Sequence, residues 1–148
     1  MDDKNLIKVH RTITDGGPVS GEWVWAHDLG ERKARVNSIP FVCDLNRNDV
    51  IEFNEENKEV TDVIEIGSHT TIGFFPFDED ENISNLRWEK IRNHFKEYDI
   101  DVEGAGNGLF VMAVPLKMPY HKFRKIARSC PVKINLGTDN KTNDRDRE

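Results

Sequence analysis

Apolar and polar residues alternate along the first half of this chain and recur at helical spacing in the second. Ile7 to Ile13 alternates and predicts a first strand, and Asp15-Gly16-Gly17-Pro18 predicts a turn. In Glu22 to Ala26, Trp23 and Trp25 fall on one face and Val24 on the other. Asp28-Leu29-Gly30-Glu31 reads as a hairpin loop, followed by a strand over Arg32 to Ile39 with Ala34 and Val36 on one face. Val50, Ile51 and Phe53 make a short strand, Asn54 to Lys58 a polar turn, and Val60 to Ile66 and Thr70 to Phe77 two further strands. Short strands at close spacing predict a small SH3-like β-barrel over residues 1–77.

The period then changes. Trp88, Ile91, Phe95 and Tyr98 draw one apolar stripe on a helix. Ser84 is its N-cap, with Ile83 and Trp88 as a hydrophobic staple. Residues 99–115 read as a hairpin turning at Asn107-Gly108, where both turn positions need positive φ. Pro119 opens a second helix as its first residue, Tyr120, Phe123, Ile126, Ala127 and Cys130 form its buried face, and Pro131 stops it. Val132, Ile134 and Leu136 alternate and add an edge strand. Residues 70–137 thus read as a ferredoxin-like βαββα(β) unit. One arrangement shares the strand 70–77 between barrel and α+β unit. The fold class is α+β, and 138–148, without an apolar residue, is a disordered tail.

Charge changes the picture by segment. Residues 1–43 hold six acids and six bases, 44–103 hold 17 acids and six bases, and 104–148 hold four acids and nine bases. The acidic middle repels nucleic acid and anionic membranes, so neither is an expected partner. Lys117, Lys122, Arg124, Lys125 and Arg128 read as a solvated helix face rather than a nucleic-acid footprint. The apolar run Leu109 to Pro115 is far short of the ~20 residues of a membrane helix. The opening residues MDDKNLIKVH have no apolar core of a secretory signal. Cys43 and Cys130 form no disulfide framework and no zinc spacing, and the expected location is the cytoplasm, with free buried thiols.

Candidate chemistry is sparse. Gly104-Ala105-Gly106-Asn107-Gly108 precedes a strand rather than a helix, so it is a hairpin and not a phosphate cradle. His69, among Ser68, Thr70 and Thr71, is the one candidate base beside nucleophiles, but neighbours in an extended chain point to opposite faces. The five histidines include no i, i+4 pair, and Asp78 to Glu81 lacks the alternation of a calcium loop, so no metal and no cofactor is expected. Trp23 and Trp25 are expected to close the small core rather than form an exposed stacking platform.

Several segments in order resemble a known bacterial family. They are Trp23-Val24-Trp25-Ala26, Val36-Asn37-Ser38-Ile39-Pro40-Phe41, Asn48-Asp49-Val50-Ile51, Gly67-Ser68-His69-Thr70-Thr71, and Val102-Glu103-Gly104-Ala105-Gly106 leading to Val114-Pro115. Together, over roughly residues 8–130, they resemble domain of unknown function 4265. The resemblance implies a bacterial, cytosolic protein with a barrel-plus-α+β fold and brings no catalytic residues with it. By analogy with small acidic members of such families, it points to immunity proteins that block toxins. The expectation is therefore a non-catalytic protein binder, most concretely an immunity protein. Its basic toxin partner would meet an acidic surface of Glu55, Glu56, Asp78, Glu79, Asp80 and Glu81, with His69 as a further partner-binding residue. The alternatives are a small-molecule-sensing regulatory domain, with Gly104 to Gly108 and the second helix as the places to look, and an enzyme using His69.

Overall fold

The computed structural model describes residues 5–14, 16–76, 85–104 and 110–139. The chain divides into two compact units, Met1–Ser68 and His69–Glu148.

The first unit is one antiparallel sheet whose strands pair in chain order: β1 (Leu6–Thr12), β2 (Gly21–Gly30), β3 (Lys33–Val36), β4 (Val50–Phe53) and β5 (Val60–Glu65). The register sets Val9 opposite Val24, Ala26 opposite Val36 and Ala34 opposite Ile51, so one face of the sheet is lined by small apolar side chains. With Cys43, Leu45, Phe53 and Val60 they form the buried core of this unit. The expected barrel is not closed. The free edges of β1 and β5 meet at a single rung, where the His10 amide donates to the Lys58 carbonyl at 2.9 Å and His10 bridges to Glu59. Glu59 belongs to the turn before β5 rather than to the strand, so the rung does not extend into a ladder.

The second unit follows as β6 (His69–Pro76), α1 (Asn85–Lys96), β7 (Asp101–Gly104), β8 (Phe110–Pro115), α2 (Tyr120–Arg128) and β9 (Ile134–Asp139). Its sheet order is β7-β8-β6-β9, antiparallel throughout. β6 pairs with β8 and β9. The chain is thus mixed α+β, with antiparallel sheets and two helices among the described residues.

The predicted helical stripe packs as expected. Ile91 and Phe95 are fully buried in one core with Phe74, Phe110, Met112 and Phe123, and Trp88 stacks against Phe110 with ring centroids 5.3 Å apart. Burying each such side chain stabilises the unit by about 1.5–3 kcal/mol. Tyr98 departs from the stripe and is 40% exposed, because the helix ends at Lys96 and Asp99 turns the chain with φ 65°. That turn drops Ile100 into the core, its amide bonded to the Phe95 carbonyl at 3.1 Å. Pro119 is extended (φ −60°, ψ 142°), so it caps α2 rather than opening it, and the helix begins one residue later than predicted. His94 ties the helices together, its Nε2–H donating to the Ile126 carbonyl in the last turn of α2 at 2.7 Å.

β9 takes in Thr138 and Asp139, the first two residues of the predicted tail. Ser84, the acidic run 78–81, the Asn107-Gly108 turn and residues 140–148 lie outside the described residues. Among the described residues, no helix is long and apolar enough to cross a membrane.

Candidate functional site

Two hairpin tips of the first unit frame an open cleft of about 860 Å³. One wall is the β2–β3 turn. Gly30, Glu31 and Arg32 take φ of 86°, 56° and 64° in succession, and the Gly30 amide donates to Asp28 Oδ1 at 2.8 Å. Left-handed backbone at two consecutive non-glycine residues is strained, and it presents Glu31 and Arg32 to the cleft. The other wall is the β4–β5 turn. There Asn54 Oδ1 accepts from the amides of Glu56 (2.9 Å) and Asn57 (3.4 Å), and Asn57 Oδ1 accepts from Glu59 at 2.9 Å. These side-chain bonds add to the backbone pairs from the Asn54 amide to the Glu59 carbonyl (2.8 Å) and from the Lys58 amide to the Asn54 carbonyl (2.7 Å), and Glu55 and Glu56 stand out in solvent. The Phe53 amide bonds the Arg32 carbonyl at 2.9 Å and so fixes one wall against the other.

Glu52 and Thr61 complete the lining, Thr61 Oγ1 donating to the Glu52 carbonyl at 3.2 Å. The cleft therefore carries four glutamates, Glu31, Glu52, Glu55 and Glu56, against the single cation Arg32. Its field is negative and suits a cationic surface. Among the described residues, no group of three or more His, Cys, Asp or Glu is placed to hold a metal ion.

Glu22, Asp44 and Glu59 are engaged within this unit. Glu22 accepts the amides of Phe41, Val42 and Cys43 at 2.7–2.9 Å. Arg11 grips Asp44 through Nε at 2.8 Å and Nη2 at 3.0 Å, which raises the guanidinium pKa further. Glu59 accepts from His10 Nδ1 at 2.7 Å and from the Thr12 hydroxyl and amide. Desolvation pushes the Glu59 carboxyl up, but these bonds outweigh it and leave the pKa below its ordinary value. Burial pushes both thiols up, with Glu22 adding to the shift at Cys43, so neither is an activated nucleophile.

Of the residues predicted from sequence, Glu55 and Glu56 line the cleft, and Asp78, Glu79, Asp80 and Glu81 lie outside the described residues. His69 is half-buried at the start of β6 in the second unit, in register with Pro115. Strand alternation places it on the face opposite Thr70. In the first unit, Ser68 Oγ accepts from Asn48 Nδ2 at 3.0 Å, and the Gly67 amide donates to Asp49 Oδ1 at 2.8 Å. Sequence reasoning missed Glu31, Arg32 and Glu52. The signal for the first two was a charged hairpin tip, displaced by one residue toward Gly30. Glu52 shows only once β4 is paired between β3 and β5.

Trp23 and Trp25, expected inside, stand outside at 54% and 43% exposure. Val24 and Ala26, on the alternate face of the same strand, are buried in their place.

A family model described as Domain of unknown function (DUF4265) matches residues 22–130. No curated protein matches the chain. The fold is similar to that of a crystal structure of a hypothetical protein from Neisseria gonorrhoeae, with a TM-score of 0.58 and 14% sequence identity over 87% of this chain and 93% of that one. At that identity the likeness bears on fold alone.

Proposed function

From the premise that the chain belongs to the DUF4265 family, whose function is unknown, we propose that it is a non-catalytic protein-binding module, most concretely an immunity protein that neutralises a basic bacterial toxin in the cytoplasm. The observation that carries this reading is the cleft of Glu31, Glu52, Glu55 and Glu56. A concave, one-signed surface concentrates field lines and draws in a cationic partner. Its walls are held by turn hydrogen bonds, so little ordering remains to be done on binding. The raised pKa values of both thiols argue against cysteine chemistry.

The finer fold reading belongs here too. The strand order of the second unit, with its two helices following β6 and β8, supports a ferredoxin-like arrangement. The curled five-stranded sheet, its edges meeting at one rung, supports kinship with SH3-like barrels.

The test is association kinetics with the protein encoded by the neighbouring gene, at low and high salt. Reversing Glu52, Glu55 and Glu56 to Lys should slow association and flatten its salt dependence, with less effect on dissociation. The same reversal at Asp78 to Glu81 asks whether that acidic run adds to the field. Association rates unchanged at both salts by the first set would remove the cleft from the mechanism.

A further inference from the structure

The outer face of β1–β3 carries an independent feature. On β2, Trp23 and Trp25 are two residues apart, so their Cα atoms lie about 7 Å apart on one face. β1 places His10 opposite Trp23 and Lys8 opposite Trp25. The Lys8 ammonium lies 4.8 Å from the centroid of the Trp25 ring, and the His10 ring 5.0 Å from that of Trp23. The next row holds His27, paired with the exposed Arg35 on β3. Neither Lys8 nor Arg35 is in an ion pair among the described residues.

We propose that this face is a stacking platform for single-stranded nucleic acid, with Trp23 and Trp25 receiving bases and Lys8 and Arg35 facing phosphates. Aromatic rings at alternate positions of an exposed antiparallel strand, with cations beside them, are the arrangement that stacks successive unpaired bases and tracks their backbone. The local charge permits it. Residues 1–43 hold as many bases as acids, Glu22 is turned to the 41–43 amides, and Glu59 is engaged by His10 and Thr12. The acids Glu52, Asp62 and Glu65 lie on β4 and β5, which confines the track to β1–β3. The site is also pre-organised. Glu59 holds His10 at 2.7 Å, and the ring lies over Gly21, where a Cβ would stand 2.3 Å from His10 Nε2. The imidazole is thus kept beside Trp23 before any ligand arrives.

The test is fluorescence anisotropy of labelled oligouridylate and oligothymidylate, each about ten nucleotides long, titrated with the full chain while indole emission is recorded. Expected are binding of at least one strand with quenching of tryptophan emission, and weaker binding to a duplex of the same length. Trp23→Ala and Trp25→Ala should each weaken binding about tenfold, since ring stacking is what they remove. Trp→Phe at the same positions should retain most of it. Lys8→Gln should reduce the slope of log affinity against log salt by roughly 0.7. Absence of binding to both strands at low salt, equal affinity for duplex, or binding indifferent to both Trp→Ala changes would each overturn the proposal. Binding of poly-glutamate in place of the oligonucleotides would assign the face to an acidic protein segment instead.

Discussion

The two units differ in where their largest rings lie. In the second, Phe74, Phe95, Phe110 and Phe123 are all buried in one core. In the first, both tryptophans face solvent, while Phe53 is a buried ring among the smaller Val9, Val24, Ala26, Ala34 and Val36. The geometry of enclosure accounts for the difference. A sheet curling toward itself leaves a narrow interior that takes small side chains. A sheet faced by helices leaves a gap that rings from both layers must fill to reach native packing density. The lesson is that exposed indoles in the first unit are not a failure of its core. They occupy the outward positions of β2, while Val24 and Ala26 take the inward ones.

The contrast can be broken most forcefully at Phe95. Replacement by Ala should cost about 3–5 kcal/mol in chemical denaturation. Trp23→Ala, larger in atoms removed, should stay within about 0.5 kcal/mol because the ring is half in water already. Comparable losses at the two positions would mean that Trp23 contributes to a core. Next in size is overpacking. Ala34→Leu puts three extra carbons into the narrow interior and should cost about 1–3 kcal/mol. A neutral result would show that the first unit has spare volume inside.

The smallest effect sharpens the seam of the curled sheet. Glu59 has a folded-state pKa below its ordinary value, so its stabilising contribution is present above the unfolded value and is lost as pH falls through the folded one. Glu59→Gln should therefore be less stable than the parent near neutrality, and the gap should close as pH drops below the ordinary glutamate value of ~4.3. Thermal melts of both proteins across that range measure it. A gap independent of pH would mean that His10 and Thr12 do not favour the charged carboxylate.

Much of this architecture was legible from spacing. The strands around Val24, Ala34, Ile51 and Val63 and the stripe of Trp88, Ile91 and Phe95 follow from periods of two and 3.6. A period of two separates two faces, however, and does not say which is inside. At Trp23-Val24-Trp25 the larger apolar residues suggested the wrong one, because the width of the interior is a property of the whole sheet and not of one strand. At the cleft, Glu55 and Glu56 were legible as a polar turn. Glu31 and Arg32 were not, since glycine marks the preferred left-handed position and here two residues with side chains follow it into that region. Tyr98 fits the stripe numerically and leaves it physically, because the helix has already ended.

Strand order has a consequence in time. In the first unit each strand pairs with its neighbour in sequence, and among the described residues the His10–Glu59 rung is the one bridge between strand edges distant in sequence. In the second, β6 has no partner until β8 and β9 exist, with His69 opposite Pro115 and Pro76 opposite Ile134. Local pairing forms quickly, and pairing across long loops waits on closure entropy. On a ribosome adding about 5–20 residues per second, the first sheet can be complete several seconds before the last strand of the second has emerged. For that interval β6 is an unpaired, Thr- and Phe-rich strand, and it is the segment of this chain most in need of protection while it is being made.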